Sequence, residues 1–145
     1  MKERTILLVE DDEDQAVLAV RALRRHGVVG EADGVVVART GEEALDRLLG
    51  AGARDAGRDA PTFVLLDKDL PGTDGLGVLR RMRSDGRTRL VPVVLFSSSG
   101  EPEEVAEGYR LGANSYVTKP GDYEGFSESL GCLGRYWLDL NELPA

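Results

Sequence analysis

The sequence holds one cysteine, one histidine and one tryptophan, and aromatic residues make up only 6% of its 145 positions. With Cys132 alone, no intrachain disulfide can form, and a reducing, cytoplasmic setting is expected. Cys132 falls in an amphipathic stretch and reads as core filler. The lone His26 stands at the end of a helical stretch, where the dipole favours it as a cap residue. That placement removes the chain from the histidine-phosphotransfer class. Positive charge is also short: 18 Lys and Arg face 26 Asp and Glu, for a formal charge of −8. Binding to nucleic-acid phosphates needs clustered cations to displace counterions, so no nucleic-acid ligand is expected. No apolar run approaches the roughly 20 residues that span a bilayer. The opening Met-Lys-Glu-Arg-Thr lacks the apolar centre of a signal peptide. No direct membrane contact is expected.

What is present is a hydrophobic fraction of 41%, enough for one core, and a single domain over residues 1–145 is expected. Short apolar runs alternate with amphipathic stretches, the pattern of repeated βα units around a parallel sheet. Strands are predicted at Thr5–Val9, Val35–Ala38, Phe63–Leu66, Val93–Phe96 and Ser115–Thr118. The third and fourth are almost wholly apolar, as central strands covered on both faces should be. Ala16, Val20 and Leu23 share one face of the first helix; Leu76, Leu79 and Met82 share one face of the third. Thr40 with Glu43 has capping-box spacing, Asp74 can cap the helix after Pro71-Gly72, Pro102 suits a first helical turn, and Gly27 suits a helix stop. Gly50 to Pro61, rich in glycine and without an apolar period, reads as a mobile surface loop.

In open parallel sheets, ligands gather beyond the carboxyl ends of the strands. Here those ends carry Glu10-Asp11-Asp12-Glu13-Asp14, Asp67-Lys68-Asp69, Ser97-Ser98-Ser99 and Lys119-Pro120. Carboxylates from two strand ends repel unless protonated or bridged by a cation, and hard oxygen donors suit Mg²⁺ or Mn²⁺. Mg²⁺ takes few protein carboxylates and leaves room for phosphate oxygens. Lys119 and Ser97 could bind the remaining oxygens of a phosphoryl group, whose transfer requires mainly positioning and charge neutralisation. Blander roles remain open at each position: Asp67 as a turn cap, Lys119 as a surface cation, Ser98 or Ser99 as the more important hydroxyl, and Tyr116 as edge packing.

Four segments together resemble the receiver domains of two-component response regulators. They are Ile6-Leu-Leu-Val-Glu10-Asp11-Asp12, Leu65-Leu-Asp67-Lys-Asp69-Leu-Pro71-Gly-Thr-Asp-Gly75, Pro92-Val-Val-Leu-Phe-Ser97-Ser-Ser, and Gly112-Ala-Asn-Ser-Tyr116-Val-Thr-Lys119-Pro120. The resemblance implies a flavodoxin-like, doubly wound α/β fold with strand order 2-1-3-4-5 and helices on both faces. It implies Asp67 as phospho-acceptor, and Glu10, Asp11, Asp67 and the Asp69 backbone carbonyl as ligands of Mg²⁺ or Mn²⁺. It further implies Ser97 and Tyr116 as switch residues, Lys119 as the phosphate-binding lysine, and a cis bond before Pro120. The partner it implies is a histidine kinase.

The C-terminal Tyr136-Trp-Leu-Asp-Leu-Asn-Glu-Leu-Pro144, with Glu10 and the long loop before Phe63, is similar to the single-domain regulators of phytochrome-type histidine kinases. A bacteriophytochrome-type kinase is the expected partner. Lys68 and Asp69 depart from that subfamily, which more often has Leu and Asn there. Asp67-Lys68-Asp69 also resembles the nucleophile motif of haloacid-dehalogenase-like phosphatases, although those usually place it on the first strand. A receiver-shaped module that no longer accepts phosphate is a further alternative. Finally, Phe126, Leu130, Leu133, Trp137 and Leu140 form one apolar stripe, with Tyr136 and Leu138 off it. That surplus predicts a homodimer joined through residues 123–145.

Overall fold

A computed structural model describes residues 4–27, 34–50 and 60–144. Five strands, β1 (Thr5–Val9), β2 (Gly34–Ala38), β3 (Phe63–Asp67), β4 (Val93–Ser97) and β5 (Ser115–Thr118), alternate with five helices. The helices are α1 (Glu13–Arg25), α2 (Gly41–Leu49), α3 (Gly75–Arg83), α4 (Pro102–Arg110) and α5 (Tyr123–Arg135). All strand pairs are parallel, in the order β2-β1-β3-β4-β5. The expected doubly wound sheet is therefore the observed one.

Alternation along each strand divides the core in two. Ile6, Leu8, Phe63, Leu65, Val94 and Phe96 point toward α1 and α5. Leu7, Val9, Val64, Leu66, Val93 and Leu95 point toward α2 and α3. Every residue of β3 and β4 is buried, as their apolar runs up to the terminal Asp67 and Ser97 require, whereas β2 and β5 are edge strands with half-buried residues. Helix starts follow the sequence signals: Thr40 accepts from Glu43 N at 3.0 Å and Asp74 from Gly77 N at 2.9 Å. Gly27, at φ +68°, follows the last turn of α1.

Several expectations need correction. β3 and β4 each run one residue further than predicted, because Asp67 still pairs with Phe96, and Ser97 with Thr118. The two polar residues are thus held by the sheet itself. Cys132 is exposed: the buried face of α5 carries Leu130, Gly131 and Gly134, and one residue's rotation turns the thiol to solvent. His26 does stand at the C-cap of α1, but its ring also lies against Gly131, and its Nε2 is 3.1 Å from Ser127 Oγ on α5. The apolar stripe breaks after Trp137, because α5 gives way to a π-helical turn over Tyr136–Leu140, closed by Asn141 N donating to Tyr136 O at 2.7 Å. A wider turn delays rotation along the chain. Leu138 therefore joins Trp137 in the core, at 9% exposure each, and Leu140 is left 73% exposed. Of the loop read between Gly50 and Pro61, residues 51–59 lie outside the described residues.

Candidate functional site

The carboxyl ends of β1, β3, β4 and β5 converge on one small polar basin. Glu10 follows β1 directly, donates its backbone N–H to Ala38 O at 2.9 Å, and is 5% exposed. Asp67 closes β3 at 8% exposure and accepts from Asp69 N at 2.9 Å. The chain then turns sharply into α3, where Gly75 N donates to Lys68 O at 3.0 Å. A Cβ on Gly75 would stand 2.4 Å from Asp67 O, so only glycine permits this approach.

Lys119, after β5, extends into the basin. Its Nζ donates to Glu10 Oε1 at 2.8 Å and Gln15 Oε1 at 2.7 Å, and lies 3.4 Å from Asp67 Oδ2. Burial alone would lower this ammonium, but Glu10 and Asp67 outweigh it and hold its pKa above the ordinary value. Burial, reinforced by neighbouring Asp67, pushes Glu10 the other way, from 4.5 up to about 7. The upward shift of Glu10 reflects carboxylates crowded beside a single ammonium in a buried place.

Oxygen atoms of Glu10, Asp11 and Asp67 all lie within 4.8 Å of one another. Hard carboxylate donors at that spacing, two of them buried, fit a divalent cation. Asp12, by contrast, caps α1 by accepting from Gln15 N at 3.1 Å. The resemblance implied a cis bond before Pro120; no cis peptide occurs among the described residues, and the trans form found here is the one intrinsically favoured, by about 0.5–1 kcal/mol.

Residues 6–130 match the response regulator receiver domain. The chain belongs to that family. The probable methanogenesis regulatory protein FilR2 of Methanothrix harundinacea is 37% identical over 140 residues, covering 96% of this chain and 86% of that protein. Response regulator Rcp1 of Synechocystis is 28% identical over 142 residues, 98% of this chain and 94% of that protein. The crystal structure of its Mn²⁺-bound form superposes with a TM-score of 0.85 over 98% of this chain and 99% of that one, at 27% identity. The phosphorylated cyanobacterial phytochrome response regulator RcpA superposes with a TM-score of 0.87, at 30% identity over 99% of both chains.

In this response regulator the remaining expected residues, Ser97 and Tyr116, meet around Asp69 and Ser99. Ser97 is fully buried; its hydroxyl lies 3.4 Å from Asp69 Oδ2 and accepts from Ser99 N at 3.2 Å. Tyr116 donates its hydroxyl to Ser99 O at 2.6 Å. Three neighbours were not read as site residues in the sequence. Gln15 binds the lysine but reads there only as a helical polar residue, and Lys68 reads only as a departure. Glu104 accepts from Lys68 Nζ at 2.7 Å and also from the Ser99 hydroxyl. Lys68 and Glu104 are 36 residues apart in sequence, and no short-range pattern joins them.

Proposed function

We propose that Asp67 accepts a phosphoryl group from the phosphohistidine of a bacteriophytochrome-type histidine kinase, with Mg²⁺, or Mn²⁺ in its place. The observation that carries this is the meeting of buried Asp67 with the Lys119 ammonium and the Glu10 and Asp11 carboxylates at one place. One Asp67 oxygen is held by the Asp69 N–H, and the other faces Lys119. The carboxylate is thereby oriented before any phosphoryl group arrives. In the transfer, an Asp67 oxygen forms a bond to phosphorus as the bond to the kinase histidine nitrogen breaks. Lys119 exchanges its contacts for a phosphoryl oxygen, and the Ser97 hydroxyl binds another. Glu10, Asp11, Asp67 and the Asp69 backbone carbonyl would hold the cation, which supplies neutralisation of phosphoryl charge.

On this reading residues 1–145 act as one receiver domain of a cytoplasmic regulator, and not as a phosphatase of small esters. Its relatives' names support a phytochrome-linked kinase. Exposed Tyr136, Leu140 and Leu143 on the C-terminal segment support a homodimer.

Incubation with acetyl phosphate, followed by intact-mass measurement, tests the acceptor. Wild type should gain one phosphoryl group only with Mg²⁺, and Asp67→Asn should gain none. Equal labelling of the mutant overturns the assignment. Purified histidine kinases with labelled ATP test the partner, and turnover of a small phosphate ester would favour the phosphatase alternative.

A further inference from the structure

The contacts around Ser97 close into a ring. The Ser97 hydroxyl donates to Asp69 Oδ2 at 3.4 Å, and Ser99 N donates to that hydroxyl at 3.2 Å. The Ser99 hydroxyl donates to Glu104 at the start of α4, and Lys68 Nζ bonds the other Glu104 oxygen at 2.7 Å. Lys68 Nζ also stands 3.5 Å from Asp69 Oδ1, which brings the ring back to its origin. The Lys68 side chain is only 12% exposed, while Asp69 and Glu104 are 59% and 36% exposed, so Lys68 is the inner member of both ion pairs and water reaches its partners.

Tyr116 hangs from this ring by its bond to the Ser99 carbonyl at 2.6 Å. Its own ring packs beneath α4, where Gly108 has no side chain: a Cβ there would stand 3.1 Å from Tyr116 Cδ2. The side chain is thus already docked, and the group that engages the Ser97 hydroxyl is a carboxylate of this chain. A carboxylate and a phosphoryl group offer a hydroxyl the same chemistry, a negatively charged oxygen acceptor.

Resting on the acceptor reading above, we propose that Asp69 is a built-in stand-in for the phosphoryl group. It engages Ser97 and, through Lys68, Glu104 and Ser99, keeps Tyr116 docked against α4 before phosphorylation. Asp69 and Lys68 are positioning residues, since the Tyr116 hydroxyl bonds Ser99 O and they act on it through Ser97, Glu104 and Ser99. Phosphorylation then hands Ser97 from one anion to another, and the β5 surface changes little. The change in surface falls instead on Asp69 and Lys68, whose contacts must be given up to the incoming group.

The test reads Tyr116 directly. Wild type, Asp69→Ala and Glu104→Gln, each with ¹³C-labelled tyrosine, would be compared by NMR with and without beryllofluoride; Tyr116→Phe assigns the signal. In wild type the Tyr116 signal should move little on adding the mimic. In Asp69→Ala without the mimic, the docked-to-undocked ratio should fall by about fivefold, the size expected for losing one ordinary hydrogen bond. Beryllofluoride should restore it. Glu104→Gln should undock Tyr116 as well, with unchanged phosphoryl labelling of Asp67. The proposal is overturned if the wild-type signal moves as far as that of Asp69→Ala, or if Asp69→Ala leaves it in place. The arms without the mimic decide this whether or not Asp67 can be labelled, so a failure of the acceptor reading is recognised separately by the mass measurement.

Discussion

Glu10 carries the sharpest consequence at the scale of single residues. Its folded pKa of about 7 lies above the ordinary 4.5, so the folded protein binds this proton more tightly than the unfolded chain does. Without metal, the stabilising contribution is full below about pH 4.5 and is lost as pH rises toward 7. The thermal midpoint in EDTA should therefore fall by several degrees between about pH 5 and pH 7.5, and Mg²⁺ should reverse the fall. Glu10→Gln should remove the slope. Because binding displaces the proton, Mg²⁺ affinity should weaken by up to about tenfold per pH unit below 7; a flat affinity from pH 5 to 7.5 counts against Glu10 as a ligand. Lys119 is tested differently. Lys119→Ala should still be labelled by acetyl phosphate, but more slowly, by roughly 100-fold, as expected for removing one preorganised charge from the phosphoryl oxygens. An unchanged rate in stopped-flow measurements would place the ammonium outside the transfer step.

Among the elements, α4 is the one held least by apolar burial, since Gly108 is its single buried residue. A Cβ at position 108 would lie 2.7 Å from Leu95 Cδ1 and 3.1 Å from Tyr116 Cδ2. Leu95 is fully buried on the central sheet and has little room to turn away, so α4 must lift from it, which disturbs the seat of the Tyr116 ring as well. Gly108→Ala should therefore displace the Tyr116 ring, with a net stability loss of about 1–2 kcal/mol after the helix-propensity gain of alanine. Denaturant unfolding and the Tyr116 signal together check this; a stabilised mutant with an unmoved ring would refute it. The same element shows where sequence reading reaches its limit. Strand identity and the caps at Thr40 and Asp74 were legible because each rests on local periodicity or three-residue spacing, whereas strand order came only from the family resemblance. Glu10, Asp67 and Lys119 were legible because strand ends meet at one edge of such a sheet. The Lys68–Glu104 pair was not, and neither was Arg83, whose guanidinium binds the carbonyls of Gly112, Arg89 and Val91 and the Asn114 side chain. Those contacts join separate loops by geometry that only the packed helices define. The π-turn after Arg135 was hidden for another reason: its sequence suits an α-helix equally well.

For the whole molecule, the open question is whether the C-terminal segment serves its own domain or a second copy, and the structure divides its residues between the two. Trp137 and Leu138 are core: Trp137 stacks 6.3 Å from Phe63, and Arg4 donates to Leu138 O at 3.2 Å and pairs with Asp139 at 2.6 Å. Tyr136, Leu140 and Leu143 are 48%, 73% and 47% exposed, and Tyr136 lines one shallow depression with half-buried Leu133 and exposed Cys132. Truncation before Tyr136 would remove core packing along with any interface, and loss of fold would be read as loss of association. A double substitution, Tyr136→Ser with Leu140→Ser, separates the two, because neither side chain is buried in the monomer. Sedimentation velocity at micromolar concentration should show a wild-type dimer and a monomeric double mutant. The mutant's thermal midpoint, extrapolated to low concentration where both are monomers, should stay within about 3 °C of wild type, as expected for surface changes. Wild type sedimenting as a monomer at high concentration would sink the dimer, and a double mutant that still dimerises would move the interface elsewhere on the surface.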